Sequence, residues 1–140
     1  MAETFQLKLV TPTGVVYDGA VVEVTATGPL GQFGVLANHI NFITSLVPGI
    51  LDVSEPDGAH EYWVVSGGLA EVRDGVMTVL ADTAEPTAKV SESEAKREEQ
   101  LADAKVSTMS TYDADYPQAK HDLDLARAKV EAANLQQSRH

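Results

Sequence analysis

Four histidines, at positions 39, 60, 121 and 140, are the side chains best suited to proton transfer or metal ligation near neutral pH. No two of them stand at the spacing of a metal-binding pair. Cysteine is absent, which excludes disulfide scaffolds, thiolate metal sites and thiol nucleophiles together. Ser66-Gly67-Gly68 sets a hydroxyl beside two glycines but lacks the flanks of a hydrolase nucleophile elbow, so the glycines read as a tight bend between strands. Gly28-Pro29-Leu30-Gly31-Gln32-Phe33-Gly34 repeats glycine every three residues. No Lys-Ser/Thr follows and no strand leads into a helix, so it is neither a phosphate loop nor a dinucleotide fingerprint. Glu98-Glu99 and Asp113/Asp115 read as solvated faces. His39 stands alone, as a packing or hydrogen-bonding residue. These residues give no catalytic set and no metal site.

His39 instead draws attention to its surroundings. From Gly31 to Leu51 it is the only ionisable side chain, in a chain of 140 residues with a formal net charge of −11. So neutral a stretch must be buried in its own fold or covered by a partner. The acidity excludes nucleic acid, whose phosphates require clustered Lys and Arg. Charged residues make up 22% and hydrophobic residues 44%, the balance of a folded domain. No apolar run reaches the roughly 20 residues that span a bilayer, and no secretory pattern opens the chain. An intracellular and most simply bacterial protein is expected, because no transit peptide precedes the fold.

Two kinds of element must position this segment. Through residue 84 the only bases are Lys8 and Arg73, against ten acids; the remaining bases all follow. The pattern changes with the charge, and the boundary is placed near Glu85-Pro86, giving regions 1–85 and 86–140. In the first, Phe5 to Leu9 alternates, Thr11-Pro12-Thr13-Gly14 turns, Val15 to Tyr17 resumes, and Ala20 to Thr27 alternates with Val22, Val24 and Ala26 on one side. Asp57-Gly58 and Asp74-Gly75 each lie between runs of strand formers, a strong hairpin signal. The expectation is a two-sheet antiparallel β-sandwich with Phe5, Leu7, Val24, Trp63, Val65 and Leu80 in its core.

In the second region Ala, Glu, Lys and Gln dominate. Ser91-Glu92-Ser93-Glu94 matches a capping box, predicting a helix over about 92–106 with Ala95, Ala102, Val106 and Met109 on one side. Pro117 suits the first turn of a second helix, whose seam is Ala119, Leu123, Ala126, Val130 and Ala133. The seam is poor in large side chains. A buried Leu or Val contributes roughly 1.5–3 kcal/mol and Ala much less, against about 1 kcal/mol or more of ordering entropy per residue. An α-helical hairpin of marginal stability is expected.

The residues also carry a resemblance. Phe5-Gln6-Leu7, Val10-Thr11-Pro12 and Gly14 come first, then Gly31, Gly34-Val35-Leu36 and His39, then Pro48-Gly49 and Ser66-Gly67-Gly68. With Val79-Leu80-Ala81-Asp82-Thr83-Ala84-Glu85 closing the series, the order resembles the epsilon subunit of the F-type ATP synthase, across the whole β region. The resemblance implies a non-catalytic rotor subunit at the foot of the central stalk, coupling ion flow through the c-ring to ATP synthesis. Its partners would be the gamma subunit and the c-ring, with Gly31, Phe33, Gly34, Leu36, His39 and Asn41 at the contact. Its place would be the cytoplasmic face of the bacterial plasma membrane, as a peripheral component that does not span it.

The tail would be a regulatory hairpin inhibiting ATP hydrolysis by transient contact with the alpha and beta subunits, through Lys96, Arg97, Lys105, Lys120, Arg127 and Lys129. Some members bind ATP through an Ile/Leu-Asp-x-x-Arg-Ala motif. The corresponding stretch here is Val90 to Ala95, where Ser91 replaces the aspartate and Glu94 the arginine. A carboxylate in place of a cation argues against ATP binding, and no cofactor is expected. The competing reading is a generic β-sandwich interaction module with a helical oligomerisation tail. It fits the periodicities but leaves the ordered motifs of the first 85 residues unexplained.

Overall fold

The computed structural model describes residues 3–138, with side chains up to Leu135. Contacts gather in two compact units divided between Glu85 and Pro86. The first contains two five-stranded sheets. One runs in the order β2 (Gly14–Val21), β1 (Phe5–Thr11), β9 (Val76–Ala81), β8 (Gly68–Arg73), β5 (Phe42–Leu46). The other runs β10 (Ala84–Pro86), β7 (His60–Val65), β6 (Gly49–Ser54), β3 (Glu23–Gly28), β4 (Gly31–Leu36).

The core lies between the sheets, where Leu7, Leu9, Val21, Val24, Val35, Leu51, Val53, Met77 and Val79 are fully buried. Each such side chain stabilises the fold by about 1.5–3 kcal/mol. In the first sheet β1 with β2, β8 with β9 and β5 with β8 pair antiparallel, as expected, but β1 and β9 pair in parallel. These two strands are distant in the chain and are joined through the other sheet, so no tight turn forces them antiparallel.

Two expectations about the core are corrected. Leu80 is half-exposed on the outer side of β9, because Met77, Val79 and Ala81 take the inward positions. The stretch from Ala20 to Thr27 is not one strand: Val21 is buried and Val22 is not. The chain leaves one sheet for the other there, with the Val22 N–H bonded to the Ser54 carbonyl at 2.8 Å, and the alternation shifts by one.

The bend at Ser66-Gly67-Gly68 has a definite cause. Both glycines take positive φ, and a Cβ on Gly68 would lie 1.9 Å from the Leu80 carbonyl oxygen. The buried Ser66 hydroxyl accepts the Thr83 N–H at 2.9 Å, which fixes the entry to β10.

The second unit begins with a 3-10 turn over Thr87–Lys89, followed by α1 (Glu92–Ser107) and α2 (Tyr116–Ser138). Ser91 caps α1, its hydroxyl accepting the Glu94 N–H at 3.4 Å. Pro117 lies in the first turn of α2, where no intrahelical bond needs the N–H it lacks. The helices pack as an antiparallel pair, with Ala95, Ala119, Leu123, Ala126 and Ala133 buried. Ala128 and Ala132 are buried too, on the opposite side of α2.

Candidate functional site

The uncharged segment forms the last strand of one sheet, β4, and the last strand of the other, β5, joined by residues 37–41. These two edges adjoin. Phe33 on β4 meets Phe42 on β5 edge-on, with ring centroids 5.9 Å apart. Beside them is an open depression of about 350 Å³, lined by the β3–β4 turn, β4, His39, Phe42 and Thr44.

The connecting loop is held from several directions. Asn38 takes a left-handed conformation with φ of 66°, which Asn tolerates better than most residues, and its amide donates to the Glu3 carboxylate. The His39 N–H donates to the Leu36 carbonyl at 3.2 Å. The His39 ring lies over Phe42 at 4.9 Å, with Nδ1 2.9 Å from the Ile40 carbonyl oxygen. Asn41 clasps the β8–β9 turn twice: its amide oxygen accepts the Asp74 N–H at 3.0 Å and its nitrogen donates to the Asp74 carboxylate at 3.4 Å.

The polar loop residues Asn38, His39 and Asn41 are tied down though exposed, and large apolar ones stand exposed beside them. Leu36 is 55% exposed, Ile40 76% and Ile43 64%. Leu30, at the tip of the β3–β4 turn, is wholly exposed. Four large aliphatic side chains are thus bared on or beside the two outer strands, Leu30 at the turn that opens β4, Leu36 at its far end, Ile40 in the connecting loop and Ile43 on β5.

The sequence-derived residues divide accordingly. Gly31, Gly34, Leu36, His39 and Asn41 are exposed, and Phe33 is half-buried against the core. Leu30, Ile40 and Ile43 were not among them; the available signal was an aliphatic residue in or bordering an uncharged run.

The other histidines do not converge on this place. His60 Nδ1 lies 2.7 Å from an Asp52 oxygen, and His121 is 3.9 Å from Asp122. His140 falls outside the described residues. Among the described residues no group of His, Asp or Glu gathers to hold a metal ion, and no helix is long and apolar enough to cross a membrane.

Residues 4–87 match the family model of the ATP synthase delta/epsilon chain, beta-sandwich domain. The chain belongs to this family. It is a non-catalytic stalk subunit of ATP synthase. Among solved structures, a chain of the Euglena gracilis mitochondrial ATP synthase is 26% identical, with a TM-score of 0.80 over 98% of this chain and 82% of that one. A chain of the Tetrahymena thermophila mitochondrial ATP synthase central stalk and c-ring shares the fold at 18% identity, with a TM-score of 0.67 over 94% of this chain and 97% of that one.

In the hairpin of this stalk subunit, four of the six bases expected to seek a partner already have one. Lys96 pairs with Glu92 at 2.6 Å and Lys120 with Asp124 at 2.5 Å, each one helical turn away. Arg127 lies 3.8 Å from Asp103 and Lys129 3.3 Å from Glu98, both between the helices. Among the described residues Arg97 and Lys105 make no ion pair and are exposed.

Proposed function

We propose that this subunit turns with the rotor of an ATP synthase, docking through Leu30, Leu36, Ile40 and Ile43 onto the gamma subunit and the c-ring, and coupling ion flow to ATP synthesis. The observation that carries this reading is the exposure of these four aliphatic side chains on and beside the adjoining outer strands β4 and β5. Family membership supports it, as does the 26% identical relative, whose structure is titled as an assembly of OSCP, F1 and c-ring. Gly31 and Gly34 contribute bare backbone to this surface. His39 and Asn41 contribute by holding the loop that displays Leu36 and Ile40. The site is peripheral to the membrane, and we place it on the cytoplasmic face of a bacterial plasma membrane, a position that rests on the sequence since both solved relatives above are mitochondrial. The hairpin serves as an inhibitory arm toward the alpha and beta subunits.

The test is a charge placed on the cluster. Leu36→Asp adds no buried charge, because the position is more than half exposed, so the thermal unfolding of the isolated chain stays within about 0.5 kcal/mol of the parent. Co-purification with gamma and the membrane sector is lost. Phe33→Asp is unsuitable, since Phe33 packs against the core and the change would damage the fold itself. If Leu36→Asp and Ile40→Asp both leave assembly and ATP-driven ion pumping intact, the docking surface lies elsewhere. A chain that elutes as a homo-oligomer and ignores gamma would favour the oligomerising module instead.

A further inference from the structure

Among the described residues, two that are not glycine take a positive φ, Asn38 at 66° and Asp74 at 51°. They lie far apart in the chain, yet each is one end of a tether on the loop that joins β4 to β5. The Asn38 amide donates to the carboxylate of Glu3, just ahead of β1. Asp74, between β8 and β9, holds Asn41 at two points. Its N–H donates to the Asn41 amide oxygen at 3.0 Å, and its carboxylate accepts from the Asn41 amide nitrogen at 3.4 Å. The β8–β9 turn is itself anchored to β1, where the Gln6 N–H donates to the Gly75 carbonyl at 3.2 Å.

A left-handed backbone strains every residue with a side chain, Asn and Asp least, and glycine would occupy such a turn freely. What Asp74 has and glycine lacks is the carboxylate, and that carboxylate reaches the loop. A strained position kept in place by its surroundings points to work done by the side chain it carries. The two tethers fall on either side of Ile40, which is 76% exposed. A loop left untied would lose its backbone freedom only on meeting a partner, and the complex would be weakened by that loss.

We propose that Asp74 is a positioning residue for docking. It is not one of the bared aliphatic residues. Acting through Asn41, it sets the conformation in which Ile40 and Leu36 are presented to the gamma subunit, while the Asn38 tether fixes the other end of the loop. This rests on the docking reading above and adds the device that pre-organises the surface, a side chain supplied by the opposite hairpin turn. Its consequence is that stability and binding separate at this position. Replacing Asp74 by glycine relaxes the turn and leaves the fold intact, but frees one side of the loop.

The test compares full-length chains in thermal unfolding and in titration against the gamma subunit. Asp74→Gly unfolds at the parent's temperature and binds gamma about two- to tenfold more weakly, the factor that the net contribution of one hydrogen bond makes in a dissociation constant. Asp74→Asn tolerates the same φ and keeps an oxygen for the Asn41 amide, so it binds like the parent. In an Asn41→Ala background the clasp is already gone, and adding Asp74→Gly brings no further loss. A loss of binding matched by an equal loss of stability assigns Asp74 to the fold alone and overturns the proposal. Equal weakening by Asp74→Asn and Asp74→Gly assigns the effect to charge, and an undiminished effect of Asp74→Gly without Asn41 assigns it to direct contact with gamma; either overturns positioning. Parent-like binding by Asp74→Gly also overturns it, while gamma docking stands. Absence of any gamma binding by the parent overturns both readings.

Discussion

At the scale of single residues, Tyr17 is the group whose ionisation the fold disturbs most visibly. Burial pushes its phenol up from 10.0 to about 12, and the nearby Glu55 carboxylate adds to the effect by its charge and by accepting the phenol's hydrogen bond at 3.4 Å. The folded chain therefore keeps a proton that the unfolded chain releases near pH 10. Stability from this group is complete below pH 10 and is lost as pH rises through about 12, because the unfolded state then binds fewer protons than the native one. Denaturant midpoints measured across this range should fall in the parent chain. In Tyr17→Phe the same interval should be flatter. A parallel decline in both proteins would remove Tyr17 from the account.

Individual residues also mark where sequence reading stopped. Leu36 and His39 were legible because they sit in a charge-free run. Their different jobs were not, because the turn of His39 onto Phe42 and the clasp of Asn41 on Asp74 join positions distant in the chain or set by loop geometry.

At the scale of elements, alternation and turn chemistry located the strands well, since a half-buried strand must write period two into its sequence. What alternation could not give was the handover at Val21-Val22, where two adjacent β-branched residues fit either face. Nor could it give the parallel pairing of β1 with β9, which no local signal encodes. In α2 the leucine of the Ala119–Ala133 seam revealed one buried face, while Ala128 and Ala132 left no trace because alanine suits either environment.

The start of α1 bears on nucleotide binding. Ser91 is occupied as the helix cap, and Glu94 follows in the first turn with Glu92, so the stretch Val90–Ala95 offers carboxylates and no cation. Triphosphate would be repelled there despite the favourable helix dipole, since the charges are whole and the dipole's are partial. Calorimetric titration of the full chain with ATP should show no binding in the micromolar range. A micromolar dissociation constant would mean that the substitutions at Ser91 and Glu94 do not matter.

At the scale of the whole molecule, two units of different character follow one another along the chain. The first is a sandwich with a core of fully buried Leu, Val and Met side chains. The second relies on alanines and leaves an open groove of about 370 Å³ between its helices, beside Leu101, Ala102, Lys105 and Leu125. A core so thin resists rearrangement weakly, and the exposed ion pairs that accompany it contribute only about 0–1 kcal/mol each. We propose that an arm of this kind exchanges its own contacts for those of a partner; of the six bases expected to pair with one, Arg97 and Lys105 could do so without breaking an ion pair described here. Removing everything after Thr87 should therefore leave docking and ion-coupled synthesis in place, since every residue of the bared aliphatic cluster remains, while ATP hydrolysis by the assembled complex rises. Arg97→Ala combined with Lys105→Ala should reproduce some of that rise without shortening the chain, whereas Lys96→Ala, whose partner is internal, should not. The measurement is steady-state hydrolysis by reconstituted complexes at matched subunit content. Hydrolysis no faster in the truncated complex than in the full one would mean that this hairpin does not restrain the motor.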